Sequence, residues 1–140
     1  MIDIYATVGT FADLKTLATQ AAALVKSVEQ VPDTPMFRQN TAAFVHELPA
    51  SAIANVEGDN DYVRVQVLTN AGALDRDKQL ALVSQMTDLI AACAHTDAVR
   101  SRTWVLLTEA APGGWGLWGH AHTNEELVAA ARAEIARLRR

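Results

Sequence analysis

The chain has a single cysteine, Cys93, so no disulfide can form within it. Cys93 stands in an apolar pattern of helical spacing and reads as a small core residue rather than a reactive thiol. No apolar run approaches the length of a membrane span, and the first residues carry no signal-peptide pattern. The expected setting is the cytoplasm, with no membrane partner. Basic surplus is missing too: 12 Lys and Arg against 16 Asp and Glu leave a net charge of −4. Nucleic acid, which needs cations to neutralise its phosphates, is not an expected partner. Arginines gather only at the end, at Arg132, Arg137, Arg139 and Arg140, where they complement the dipole of a last helix. Ser51, Ser84 and Ser101 lack a nucleophile-elbow sequence, and the glycines lack a phosphate-cradling spacing after a strand. Serine hydrolysis and nucleotide binding therefore have no support, and no cofactor is expected.

What is present is ordinary for one globular domain. The 140 residues are 50% hydrophobic and 20% charged, enough to bury a core without staples. Met1 to Val8 alternates, with Ile2, Ile4, Ala6 and Val8 on one side, and predicts a strand ended by Gly9. Leu14, Leu17, Ala18, Ala21, Leu24, Val25 and Val28 then recur at helical spacing. Pro32 and Pro35 mark a loop reaching Asn40, and Thr41 to Glu47 predicts a short strand stopped by Pro49. Ala50 to Asp61 reads as a polar turn.

The second half repeats this order. Val63, Val65 and Val67 oppose Arg64 and Gln66 in a strand from Tyr62 to Thr69. Asp75 to Cys93 predicts a helix whose apolar face carries Val83, Met86, Leu89, Ile90 and Cys93. After a loop over Ala94 to Arg100 comes an apolar strand, Thr103 to Thr108. Gly9 to Glu47 and Gly72 to Glu109 span nearly the same length, and each pair brackets a helix and a strand. The chain reads as an internal duplication, with repeats at about 1–50 and 61–110 and a C-terminal hairpin and helix at 111–140. Helices between strands imply parallel pairing within each half. The expected architecture is an α/β (α+β) two-layer sandwich, a four-stranded sheet with two helices on one face, within one domain over 1–140.

The last third carries the strongest local signal. Two tryptophans, Trp115 and Trp118, stand among Gly113, Gly114, Gly116 and Gly119. Glycine lets the backbone approach another surface closely, and Trp supplies buried area at low entropy cost. The segment reads as a ribbon capping a neighbouring surface, with a hairpin packed on its own core as the alternative. Thr123 to Glu126 is a capping-box pattern that opens a terminal helix. His120 and His122 lie two apart and share one side of an extended chain. Zinc needs further ligands, and no acid or Cys stands at a supporting spacing, so no metal is expected. His46 and Glu47 alternate to opposite faces of a strand, and His46 reads as a hydrogen-bonded structural residue.

The stretch VLLTEAAPGGWGLWG, Val105 to Gly119, resembles the strand and hairpin of the 4-oxalocrotonate tautomerase family. That family's pattern is an apolar strand, Thr-Glu, a short turn and Gly-x-aromatic-Gly-x-x-Gly. Phe44 to Pro49, FVHELP, is similar to the corresponding strand end of the double-length malonate semialdehyde decarboxylase branch. The resemblance implies a tautomerase/MIF-like fold, a homo-oligomer in the form of a trimer, and hairpins packed on neighbouring subunits. It implies an isomerase acting on a small oxo acid or enol, with a site at the start of the first strand. There the family uses the amine of an N-terminal proline as general base or acid.

The proline position falls one residue ahead of Met1, so the amine expected at the site is that of Met1. The family's arginine after the strand-ending glycine is Thr10 and Ala73 here, and its mid-strand arginine is Ala42 and Trp104. A dicarboxylate held in the usual way is therefore not expected. Arg38, Arg64 and Arg102 are the remaining substrate-binding cations, and Trp115 matches the aromatic that lines the pocket. Two other readings stand beside this one: a catalytically degenerate trimer, and a ferredoxin-like ligand-binding module. Strand order separates the last from the first two.

Overall fold

The computed structural model describes residues 1–140. Four strands form the main sheet: β1 (Ile2–Thr7), β2 (Ala43–Leu48), β3 (Val63–Thr69) and β4 (Thr103–Glu109). Helix α1 (Leu14–Glu29) and the short α2 (Pro35–Asn40) link β1 to β2, and α3 (Arg76–Ala94) links β3 to β4. A two-stranded ribbon, β5 (Trp115–Leu117) and β6 (His120–His122), precedes the terminal α4 (Asn124–Leu138). No helix is long and apolar enough to cross a membrane.

Helix boundaries follow from local chemistry. Asp13 accepts from the Thr16 backbone N–H at the start of α1, and Asp75 accepts from Lys78 N–H at the start of α3. Gln30 and His95 close these helices in the left-handed region, at φ 60° and 55°. The loop expected over 32–40 is helical in its second half. Pro35 takes the first helical position, where its missing N–H costs nothing and its fixed φ suits the turn. Thr34 makes no side-chain cap there; instead the Glu134 carboxylate of α4 accepts from Met36 N–H at 3.2 Å. The terminal helix thereby fixes α2.

The sheet order is β2-β1-β3-β4. β1 runs parallel to β2 and β3 to β4, while β1 and β3 pair antiparallel at the centre. This order overturns the ferredoxin-like alternative, in which each β-α-β unit is split by another strand. The central register pairs the two β-α-β units symmetrically. Ile2 lies opposite Val67 and Ile4 opposite Val65. Met1 exchanges hydrogen bonds with Leu68, amine to carbonyl at 2.9 Å and carbonyl from N–H at 2.8 Å. Tyr5 faces Arg64 at the other end. Exchanging the two halves maps Met1 onto Arg64 and Leu68 onto Tyr5, so the repeats are related by a pseudo-twofold axis through the sheet.

One face of the sheet is covered by α1 and α3. Ile2, Ile4, Val65 and Val67 meet Leu17, Ala21, Leu82, Met86 and Ile90 there, each at 0% exposure, in one core drawn from both repeats. The inward row of α3 differs from the expected one. Leu82 is buried and Val83 is 37% exposed, because the helix turns its 82-86-90 row to the sheet. The other sheet face is uncovered. It presents Asp3, Tyr5, His46, Arg64 and Gln66, flanked by Phe44, Trp104 and Leu106 at 53%, 45% and 44% exposure. His46 accepts its expected structural role there, bonding Asp3 at 2.7 Å and stacking on Tyr5.

Candidate active site

A cavity of about 170 Å³ opens at the start of β1. The strand supplies Met1, the last turns of α1 supply Val25 and Glu29, and α2 supplies Met36, Phe37 and Asn40. Asn70 and Ala73 close it from beyond β3, Trp115 and Leu117 from β5, and Leu127 from α4. Each wall is held in place. Asn40 ties back to the Met36 carbonyl at 2.7 Å, and Asn124 reaches the Ala71 carbonyl at 2.7 Å. Trp115 and Leu117 lie on the second apolar cluster, with Met36, Phe37, Leu127 and Ala131. The ribbon turns through Trp118 and Gly119 at φ 54° and 74°, a two-residue turn with both residues left-handed.

Two ionisable groups face each other across this mostly apolar space. Met1 as a residue is 37% exposed, yet burial of its amino group holds the pKa below the ordinary 8.0. The charges of Glu29 and Asp3 oppose that shift. Burial raises the Glu29 carboxyl above its ordinary 4.5, against the attraction of the terminal ammonium and of Lys78. Lys78 itself donates to the Glu29 backbone carbonyl at 3.2 Å. The amine moves down and the acid moves up, so their proton affinities converge. That is the condition under which one group gives a proton and the other takes one near neutral pH.

Of the residues singled out in the sequence, the structure brings Met1 and Trp115 together and leaves the three arginines elsewhere. Arg64 holds the pseudo-twofold counterpart of the Met1 position, four strand residues from it along β1, or about 13 Å. Its guanidinium lies 5.5 Å from the Tyr5 ring centre and donates to Gln66. Arg102 is at that same far end, bonded to Asp61 at 2.6 Å and stacked over Tyr62. Arg38 turns outward to a shallow depression over α1 and donates to the Asp33 carbonyl at 2.8 Å. Lys26 is on the same Asp33 carboxylate, at 2.7 Å, so neither cation there is free.

Glu29 is the residue that sequence reasoning missed. A signal existed: Leu17, Ala21 and Val25 are the fully buried row of α1 at spacing four, and Glu29 is the next member. An acid continuing a buried apolar row is unusual enough to single out. Within the chain, Trp115 packs on the second apolar cluster, and Trp118, at 65% exposure, points outward.

No family model matches the chain, and no curated protein sequence does. Solved structures match over nearly its full length. A member of the cis-3-chloroacrylic acid dehalogenase family is 15% identical, with TM-score 0.73, covering 93% of this chain and 90% of its own. A fused 4-OT described as an asymmetric trimer is 19% identical, with TM-score 0.71, covering 90% and 97%. A malonate semialdehyde decarboxylase inhibited by 3-bromopropiolate is 18% identical, with TM-score 0.64, covering 86% and 92%. The chain shares the fold of these proteins.

Proposed function

We propose that the Met1–Glu29 cavity catalyses enol–keto tautomerisation of a small oxo acid, an isomerase reaction. The observation that carries this reading is the pairing of a desolvated amine with a desolvated carboxyl beneath Trp115. In the forward direction the neutral amine takes the enol O–H proton while protonated Glu29 delivers one to the adjacent carbon. The proton then returns from ammonium to carboxylate, so the cycle closes without a co-reactant. Electrostatic preference for the charge-separated transition state comes from Lys78 and the ammonium, in a site with little water.

Size and charge limit the substrate. A cavity of about 170 Å³ lies below the roughly 300–1,000 Å³ that holds drug-sized ligands. No arginine lines it, so a monocarboxylate of three or four carbons suits it better than a dicarboxylate. The structural neighbours named for 3-chloroacrylic acid and inhibited by 3-bromopropiolate handle acids of that size.

The test follows decay of the enol absorbance of a small 2-oxo acid, after mass spectrometry has established which residue carries the amine in the native protein. Glu29→Gln should lower kcat/KM at least about 100-fold with the circular dichroism unchanged, the scale of a lost general acid or base. Trp115→Ala should act mainly on KM. Wild-type protein no faster than buffer across a panel of enols would leave the catalytically degenerate reading in possession.

The reading includes a trimer in the cytoplasm. Its support is the uncovered sheet face, whose two edge strands expose Phe44 on β2 and Trp104 and Leu106 on β4, and the neighbour described as a trimer. Light scattering should give three times 15.1 kDa, and Trp104→Asp should reduce it to one.

A further inference from the structure

The geometry points to a divalent-metal site of zinc type formed by His120, His122 and Glu126, at the junction of the ribbon and α4. One donor atom from each residue lies within 4.8 Å of the others. The acid that the linear spacing did not offer is delivered by the capping box. Thr123 caps α4, its N–H is held by Glu126 Oε2 at 2.8 Å, and the same oxygen bonds His120 Nε2 at 3.1 Å. Folding the chain back at the cap turns a residue six positions away into a neighbour.

The second argument concerns the His122 proton. Its Nε2 is 3.0 Å from the Leu117 carbonyl, which only accepts, so Nε2 carries the hydrogen. Its Nδ1 is buried and has no hydrogen-bond partner. An N–H at Nδ1 would be an unsatisfied buried donor, so the tautomer that fits this geometry has its lone pair on Nδ1. A backbone carbonyl holding the far nitrogen, with the near one left as a lone pair, is the outer-shell arrangement that prepares a histidine for a metal. The His120 ring stands edge-on to it, with centres 4.7 Å apart.

Two imidazoles and a carboxylate select a borderline ion over Mg²⁺ or Ca²⁺, and three protein ligands leave a fourth position for water. Tetrahedral bonds of about 2.0–2.1 Å require donors roughly 3.4 Å apart, so the cluster must draw in by about 1.5 Å. His120 and Glu126 are both half-exposed, and side-chain rotation suffices. The bound ion would clamp the ribbon to α4, and through Trp115 and Leu117 it would firm the cavity wall. This site stands independently of the reaction proposed above.

The test titrates tag-free, chelator-stripped protein with Zn²⁺ by calorimetry, and with Co²⁺ by its visible absorption. One ion per chain, an intense tetrahedral Co²⁺ spectrum and a Zn²⁺-dependent rise in Tm are expected. His120→Ala should weaken binding at least tenfold. Glu126→Gln should do the same while keeping the cap, since Gln serves a capping box as well as Glu. His95→Asn, remote from the cluster and tolerant of its left-handed backbone, should change nothing. Binding unaffected by His120→Ala and Glu126→Gln, or no saturable binding below millimolar Zn²⁺, would overturn the assignment.

Discussion

Replacing Glu29 by Gln should change how stability depends on pH, in a direction fixed by the sign of its shift. Burial raises the folded-state pKa above 4.5, so folded Glu29 holds its proton more tightly than unfolded Glu29. The wild type carries no penalty while the carboxyl is protonated in both states. A penalty grows as pH rises past 4.5 and levels off above the folded value. Gln does not titrate, and the cost of burying its amide is the same at every pH, so it cancels from the slope. Between pH 4 and 6 the penalty cannot exceed about 2 kcal/mol, from 1.36 kcal/mol per unit over the 1.5 units above the ordinary value. The ammonium of Met1 and Lys78 offset part of it, and residual solvent screens more, so about 1 kcal/mol is expected. For a chain of this size that is roughly 3 °C in Tm. Urea unfolding at pH 4, 5 and 6, at one protein concentration, measures the difference between the two proteins. The wild type should lose ground to Glu29→Gln as pH rises. A flat or rising difference would refute the claim that Glu29 is desolvated, and with it the proposed acid. The window stops at pH 6 to stay on the acid side of the terminal amine's ordinary 8.0.

That amine should titrate below 8.0, and further below in Glu29→Gln, because Glu29 is the largest influence holding it up; the pH profile of reductive ¹³C-methylation followed by NMR reads both. Trp118 is exposed and left-handed, a conformation that a bulky side chain resists. Trp118→Asn should therefore relieve the turn and raise the Tm, read by differential scanning calorimetry. Met86→Ala removes a side chain at 0% exposure and should cost about 2–5 kcal/mol, seen as a lower urea midpoint with unchanged enol turnover per folded molecule.

Alternation in Met1–Val8 and Val63–Val67 made β1 and β3 legible, and the Gly-to-Glu ruler made the repeated strand-helix-strand order legible, because both depend on local period alone. In the second half the ruler has a physical basis: Glu109 Oε1 accepts from Gly72 N–H at 3.2 Å. α2 was hidden because Pro32 and Pro35 read as breakers, whereas Pro35 begins a helix that Glu134 caps from 98 positions away. Arg64 was misplaced for a related reason. Counting from the glycine identifies it as a repeat of the Met1 region, but repetition across an antiparallel pair sends the second copy to the opposite end of the sheet. The resemblance put Met1 and Trp115 at one pocket, and both line the same cavity. Glu29 was not legible, since a single acid at a helix end is usually solvated and only the row it continues marks it as different. Glu126 needed the cap geometry before it could be seen beside His120.

The pseudo-twofold axis makes the two ends of the sheet equivalent in backbone, so their difference in chemistry must come from side chains and chain continuity. At the first end Met1 lines the cavity, and Ala42 stands just before β2. At the second end the position matching Met1 is Arg64, whose nitrogen is an amide, and the chain must arrive through Asp61 and Tyr62. The position matching Ala42 is Trp104, and Tyr62 stacks on it with ring centres 4.4 Å apart. Arg102 covers Tyr62 at 5.1 Å and bonds Asp61. The incoming chain and its aromatic pair thus pack together at the second end of the sheet. That aromatic packing ties Tyr62, just ahead of β3, to Trp104 in β4, beside the strand pair that carries the Met1 end.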